Sequence, residues 1–290
     1  MTSPTPEPTP AVIFGSHSDV GQRREHNEDS SRCVYSGTGA LLIVSDGVGG
    51  AKAGEVASRM AVDGIAEILV TRSGSEPLPP DRRPWLAEAA REVDRRIRSA
   101  AQQPGLSGMG ATLSTLWLDG GQGWWVQAGD SRIYLLRGGE LRQLSMDQSP
   151  VGRMRASGQL SEEEARRHPY KHMIDQCLGG AGTEAQPDTG TLAIQAADAF
   201  LLCSDGLSDG LWDREIAAGL AQLAAGKSPD EVARALVAGA NAASGNDNIT
   251  AVVGRVEWVP TPPPPPSLPT VIAPPVSPLR RFLHRIGLGR

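Results

Sequence analysis

Two apolar runs in this chain stop on the same three residues. Ala40-Leu-Leu-Ile-Val ends in Ser45-Asp46-Gly47, and Ala199-Phe-Leu-Leu-Cys ends in Ser204-Asp205-Gly206. Both read as buried strands with a carboxylate at the exit. A third strand, Gln122-Gly-Trp-Trp-Val-Gln-Ala128, runs into Gly129-Asp130, and a late strand, Ile249 to Val256, is preceded by Gly245-Asn-Asp247-Asn248. Gly138-Gly139 between Arg132-Ile-Tyr-Leu-Leu-Arg137 and Glu140 to Leu144 predicts a hairpin. A fold for this chain has to accommodate four strand ends that each carry an aspartate.

Helical spacing of apolar residues appears in Glu55 to Leu69 and in Pro84 to Ala101, and two further helices are expected over Asp213 to Leu223 and Ser228 to Ala242. Ser228-Pro-Asp-Glu231 is a good N-cap with proline in the first turn. The order is strands, two helices, many strands, two helices, strand. Such segregation predicts an α+β fold, a β-sandwich flanked by helices, rather than a parallel βαβ sheet. Residues 147–183 fit neither layer and are expected to hold one short helix capped at Ser161-Glu-Glu-Glu164 within an irregular excursion.

Five consecutive prolines at 262–266 and further prolines to Pro278 mark 259–278 as a semi-rigid linker, and residues 1–10 as a disordered start, so the domain is expected over 11–258. The tail 279–290 alternates Arg280, Arg281 and Arg285 with Phe282, Leu283, Ile286 and Leu288. It could lie on a membrane or an acidic partner, or be a solubilising end. No run of eighteen apolar residues occurs and the N-terminus lacks the pattern of a signal peptide, so a cytoplasmic location is expected. Three cysteines without CxxC spacing argue against a disulfide framework or structural zinc, and Cys203 reads as core. A net charge of −5 gives no support for a nucleic-acid partner.

One Asp-Gly after a strand is usually only a turn. Four carboxylates at strand ends, gathered at one end of a sandwich, suit a hard divalent cation such as Mg²⁺ or Mn²⁺, and without histidine partners zinc is disfavoured. The glycines after Asp46 and Asp205 are expected to let backbone approach the metal. The stretch Asp19-Val-Gly-Gln-Arg-Arg24-Glu-His-Asn-Glu28-Asp29 reads either as a solvated loop or, placed at a sheet end, as a phosphate site with Arg24 as a bidentate ligand.

Asp19-x-Gly-x-x-Arg24-x-x-Asn-Glu-Asp29, Ser45-Asp-Gly-x-Gly-Gly50, Met109-Gly-Ala-Thr112, Ala128-Gly-Asp-Ser-Arg132, Ser204-Asp-Gly-Leu207 and Asp247-Asn-x-Thr250 stand in one order from Ser18 to Thr250. Together they resemble the PPM (type 2C) family of metal-dependent protein serine/threonine phosphatases, in its bacterial form. The resemblance implies a four-layer αββα sandwich with a flap over 147–183, hydrolysing phosphoserine and phosphothreonine on proteins and opposing a serine/threonine kinase. Two metals would activate a bridging water. Asp46 resembles the carboxylate bridging them, with the Gly47 carbonyl on one; Asp205 and Asp247 match the remaining ligands of the pair. Asp130 matches a position that, with Asp205, holds a weaker third metal. Arg24 matches the phosphate-binding arginine, and Glu28 and Asp29 match acidic residues that order metal-bound water. Asp19 looks structural, and Arg132 is expected to stabilise the strand-end carboxylates. Val48 stands where some members carry histidine, which leaves water on the metal as the acid, with His26 as an alternative.

Departures gather in the flap. Asp147-Gln148 replaces a common Asp-His, Lys171-His172 replaces Arg-Asn, and Gln176 replaces an arginine. A catalytically silent phosphoprotein-binding regulator of the same fold is the rival reading, and a two-metal nuclease a more distant one. No metal aspartate is lost and no basic groove is evident, which disfavours each in turn.

Overall fold

A computed structural model describes residues 9–36, 39–180 and 183–259. The expectations for most of the N-terminal segment, the proline-rich linker and the basic tail lie outside the described residues. In chain order the elements begin with β1 (Thr9–Asp19), β2 (Asp29–Ser36), β3 (Gly39–Val48), α1 (Ala51–Ser75) and α2 (Arg83–Ala100). A run of strands follows: β4 (Gly110–Ala111), β5 (Leu113–Asp119), β6 (Gln122–Ala128), β7 (Arg132–Arg137) and β8 (Glu140–Gln143). Then come α3 (Pro150–Ala156), α4 (Glu162–Arg167), β9 (Leu178–Gly179), β10 (Asp188–Ala193) and β11 (Ala199–Cys203). The domain closes with α5 (Asp205–Gly210), α6 (Asp213–Ala221), α7 (Pro229–Ala243) and β12 (Ile249–Val259).

The strands form two sheets, one ordered β1-β12-β11-β7-β8 and the other β10-β6-β5-β3-β4-β9, with β2 also paired to β3. Every pairing among the described residues is antiparallel. Alternation along the strands separates three cores, because successive side chains leave opposite faces. In β3, Leu41 and Ile43 pack with α1 and α2, while Ala40, Leu42 and Val44 face the other sheet. In β11, Ala199, Leu201 and Cys203 pack with α6 and α7, while Phe200 and Leu202 meet the residues from β3. Helix, sheet, sheet, helix is thus built as three stacked apolar layers. Cys203 lies in one of them with its thiol pushed up to about 12 by burial, an inert core group.

The helices follow their sequence signals. α2 buries Leu86, Ala89, Ala90, Val93 and Ile97 on one face. Ser228 caps α7 reciprocally with Glu231, and Ser161 caps α4 with Glu164. Two elements differ from expectation. The flap holds two short helices rather than one, because Ser149-Pro150 is itself a cap: the Ser149 hydroxyl accepts from the Gly152 amide at 2.9 Å. Asp205-Gly206, where no helix is expected, opens α5. At the end of the large sheet remote from Asp46, Arg82 lies between the rings of Trp117 and Trp124, 4.3 and 4.4 Å from their centroids, and donates to Asp119 at 2.5 Å.

Candidate metal centre

Antiparallel pairing brings the carboxylates together. Asp29, opening β2, stands opposite Asp46 near the end of β3. Asp205 follows β11, Asp247 precedes β12, and Asp130 lies between β6 and β7. Because β11 is paired with both β12 and β7, the three latter ends lie side by side. Asp46, Gly47, Asp130, Asp205 and Asp247 line one open cleft of about 520 Å³ together with Arg24 and Glu28. Asp29 is set behind this lining, buried.

A hydrogen-bonded frame holds the cleft. Asn248 takes the Glu28 amide on its Oδ1 at 2.8 Å and donates to the carbonyls of Val20 and His26 at 2.9 Å, tying the 19–29 loop to the start of β12. Ser204 donates to Asp29 Oδ2 at 2.7 Å and accepts from the Thr250 amide at 3.0 Å, so one hydroxyl joins the two sheets. Thr112 accepts the Asp46 amide on its hydroxyl at 2.9 Å, and that hydroxyl lies 2.7 Å from Ser131 Oγ. Asp19 accepts from the Gly21 amide and from Asn241, the structural role expected of it. Asn248, Ser204 and Thr112 belong to the quoted motifs, yet spacing alone gave them no role; their work appears only when the strand ends meet.

Electrostatics shows a centre short of positive charge. Burial, followed by repulsion from neighbouring carboxylates, raises Asp46 and Asp130 well above the ordinary aspartate value and raises Asp247 as well. Burial pushes Asp29 up to about 7 despite the hydroxyls bonded to it. Asp29 Oδ1 and Asp205 Oδ1 are buried with no hydrogen-bond partner among the described residues. A divalent cation answers both conditions, since it accepts hard oxygen donors and neutralises their charge. Among the described residues no three His, Cys, Asp or Glu side chains already close on a point as a finished cage. The fit therefore rests on the orphaned oxygens and on the mutual repulsion, which a purely structural turn would not maintain.

Gly47 and Gly206 are required by backbone packing whatever else they do: a Cβ would fall 2.2 Å from the Gly54 carbonyl oxygen in the first case and 2.1 Å from that of Asn248 in the second. Arg132 acts on the strand-end carboxylate Asp130 through space, its charge drawing that carboxyl down against the cost of burial. It grips Asp147 at the flap root, with Nε to Oδ1 at 2.9 Å and Nη2 to Oδ2 at 2.7 Å, and against the cost of burial holds that carboxyl below its usual range. His26 is exposed and absent from the cleft lining, whereas His172 of the flap lines it, with Nδ1 3.8 Å from Asp205 Oδ2. That contact raises the imidazole above its ordinary value. The only sequence signal for His172 was the unusual Lys171-His172 pair. Lys171 lines the cleft too and donates to Asp209 of α5 at 2.6 Å.

Residues 16–238 match the family described as Protein phosphatase 2C. The chain belongs to that family. It is 37% identical over 236 residues to "Protein phosphatase PhpP" of Streptococcus pneumoniae, covering 80% of this chain and 92% of the relative. To "Serine/threonine protein phosphatase PstP" of Mycobacterium tuberculosis it is 37% identical over 251 residues, 86% of this chain and 46% of the relative. Among solved structures, the serine/threonine phosphatase of S. agalactiae superposes with a TM-score of 0.77 at 33% identity, covering 85% of this chain and all of that one. The PstP catalytic domain, solved in complex with two manganese ions, gives 0.72 at 35% identity over 86% of this chain and all of that one. The two antiparallel sheets with flanking helices are thus the architecture of the 2C phosphatases, and the chain is a metal-dependent protein phosphatase of that type. No helix among the described residues is long and apolar enough to cross a membrane.

Proposed function

We propose that this chain removes phosphate from phosphoserine and phosphothreonine in proteins. Asp46, the Gly47 carbonyl, Asp205 and Asp247 would hold a pair of Mn²⁺ or Mg²⁺ ions, and Asp130 with Asp205 a weaker third. The observation that carries this is the convergence of four carboxylates from separate strand ends on one cleft that also contains an arginine. When bound, such ions supply a nucleophile from water at neutral pH and offset the charge of the phosphate.

The chain's own residues do the rest. Arg24 is about half exposed and uses one Nη2 bond on Asp247, leaving guanidinium donors for phosphate oxygens. It thereby orients the non-reacting oxygens, and phosphoryl transfer depends on such positioning and electrostatics. Glu28, in the cleft wall, orients the attacking water. Asp29 acts from behind: its bond with Ser204 fixes the step from β11 into Asp205. Cys203, two residues before Asp205, is not called on, since it is sealed in the core.

The same reading makes a serine/threonine kinase the source of the substrates, in a cytoplasmic setting. Turnover of a phosphothreonine peptide with Mn²⁺, none with chelator, and none of an oligonucleotide is the expected result. Silence on every phosphopeptide at saturating metal would favour the regulator, and cleavage of the oligonucleotide would favour the nuclease.

A further inference from the structure

The flap leaves and rejoins the domain through a narrow neck, and Gln148 occupies it. Its backbone donates to the Gly129 carbonyl at 2.9 Å and accepts from the Asp175 amide at 2.8 Å, so the outgoing and returning chains are bonded through one residue. Its side chain works in two directions. Oε1 accepts from the Gly129 amide at 2.9 Å, and Nε2 donates to Asp188 Oδ2 at 2.8 Å and to the Gln186 carbonyl at 3.2 Å. An amide donor on one side and a carboxylate on the other fix which way the side chain points. Both polar backbone groups of Gly129 are therefore held by Gln148, immediately before Asp130; the carbonyl is shared with Gln127 Nε2 at 2.9 Å, whereas Gln148 Oε1 takes the amide.

The turn is gripped from its other side by Ser131, whose hydroxyl meets Thr112, which in turn bonds the Asp46 amide. The two grips lead to different places. Thr112 connects Asp130 to the residues assigned to the metal pair, whereas Gln148 connects it to the flap root and to Asp188 of β10. We propose that Gln148 is a positioning residue that locks the Gly129–Asp130 turn to the neck of the flap, so that the flap root sets the weaker cation site. The proposal rests on the reading of Asp130 as a ligand of that site. It also gives the unusual Asp147-Gln148 pair a purpose: Asp147 anchors the root through Arg132, and Gln148 transmits the anchored position to Asp130.

Gln148→Ala, Asp188→Ala and the double variant in the full chain test this, by amide hydrogen exchange and calorimetric Mn²⁺ titration. Exchange at Gly129 and Asp130 is expected to quicken on the order of fivefold in Gln148→Ala, the worth of one ordinary hydrogen bond. The weakest Mn²⁺ step should weaken by a similar factor while the tighter steps and the melting temperature hold. Asp188→Ala should shift both readouts in the same direction by less, and the double variant should equal Gln148→Ala, because Asp188 acts only through the amide. Unchanged exchange at Gly129, or quickened exchange with an unmoved weak step, overturns the proposal. A general fall in melting temperature with all Mn²⁺ steps weakened makes Gln148 merely structural and overturns it as well. Asp130→Asn separates the premise: if that variant keeps every Mn²⁺ step, the assignment of Asp130 has failed, whereas a lost weak step in Asp130→Asn beside an unmoved one in Gln148→Ala sinks Gln148 alone.

Discussion

Arg24 Nη2 donates to Asp247 Oδ2 at 2.8 Å, so the group assigned to phosphate is bonded to a group assigned to metal. The pair is 48% and 26% exposed, too open to contribute much to folding. Its consequence is for function: Arg24 is held in the cleft by a residue that helps define the cleft.

Arg24→Ala should therefore leave the melting temperature within a degree or two and lower kcat/KM for a phosphopeptide by about tenfold to a hundredfold, the worth of hydrogen bonds to a charged group. Most of the loss is expected in KM. Arg24→Lys should recover little, since an ammonium lacks the paired donors. Steady-state kinetics on one phosphothreonine peptide decides it, and an unchanged kcat/KM would remove Arg24 from the site.

Metal-free protein should lose stability as pH rises. Asp29 is raised from 3.8 to about 7 and Asp46 is raised as well, chiefly by burial, so the folded state binds more protons than the unfolded chain across that interval. The stability is full below pH 4 for these groups and is lost as pH climbs through about 7. Acid unfolding driven by other groups is superposed at the low end. Thermal melts with chelator should thus fall from pH 5.5 to pH 8, and Mn²⁺ should flatten or reverse the trend. A metal-free melting temperature that rises over this interval would contradict the electrostatic account of the centre.

Far from the cleft, Arg82 is predicted to matter only for folding. It is 7% exposed on its side chain, clasped between two tryptophans and bonded to Asp119, which is equally buried. Arg82→Met should cost about 3–5 kcal/mol, the usual consequence of removing one member of a buried ion pair. kcat per folded molecule should be unchanged at low temperature. Denaturant unfolding with activity assayed on the folded fraction checks both halves.

Much of this was legible in the sequence, for identifiable reasons. The segregated order of strands and helices carries the sandwich, and the unbroken apolar runs Ala40–Val44 and Ala199–Cys203 agree with it, because a strand apolar on both faces requires a layer on each side. The aspartates could be named because the motifs that hold them are local. What escaped was whatever depends on contacts between distant segments. Arg132 sits two residues from Asp130 yet grips Asp147, fifteen residues on, across the flap root. The glycines after Asp46 and Asp205 answer to Gly54 and Asn248, which no spacing rule connects to them. α5 has no clear sequence signal, since Asp-Gly after a strand is more often a turn, and α3 is signalled only by its Ser149-Pro150 cap.

Asp130 is the residue whose role the kinetics can isolate. Asp130→Asn should keep the tight metal pair, lower turnover, and raise the Mn²⁺ concentration for half-maximal activity several-fold. The other role open to Asp130 is that of a structural turn carboxylate beside Arg132, whose hydrogen bonds go to Asp147 and whose charge still draws Asp130 down. Loss of melting temperature with an unshifted Mn²⁺ requirement would select the structural role.

The central claim is that Asp46, Asp205 and Asp247 hold the catalytic metal pair. Calorimetric titration of Mn²⁺ into the metal-free wild type and into Asp46→Asn, Asp205→Asn and Asp247→Asn tests it most directly, with circular dichroism as the check on folding. The account predicts two tight Mn²⁺ ions in the wild type, and at least one lost in each variant with the secondary structure intact. Three folded variants that each still bind two tight Mn²⁺ ions would contradict it.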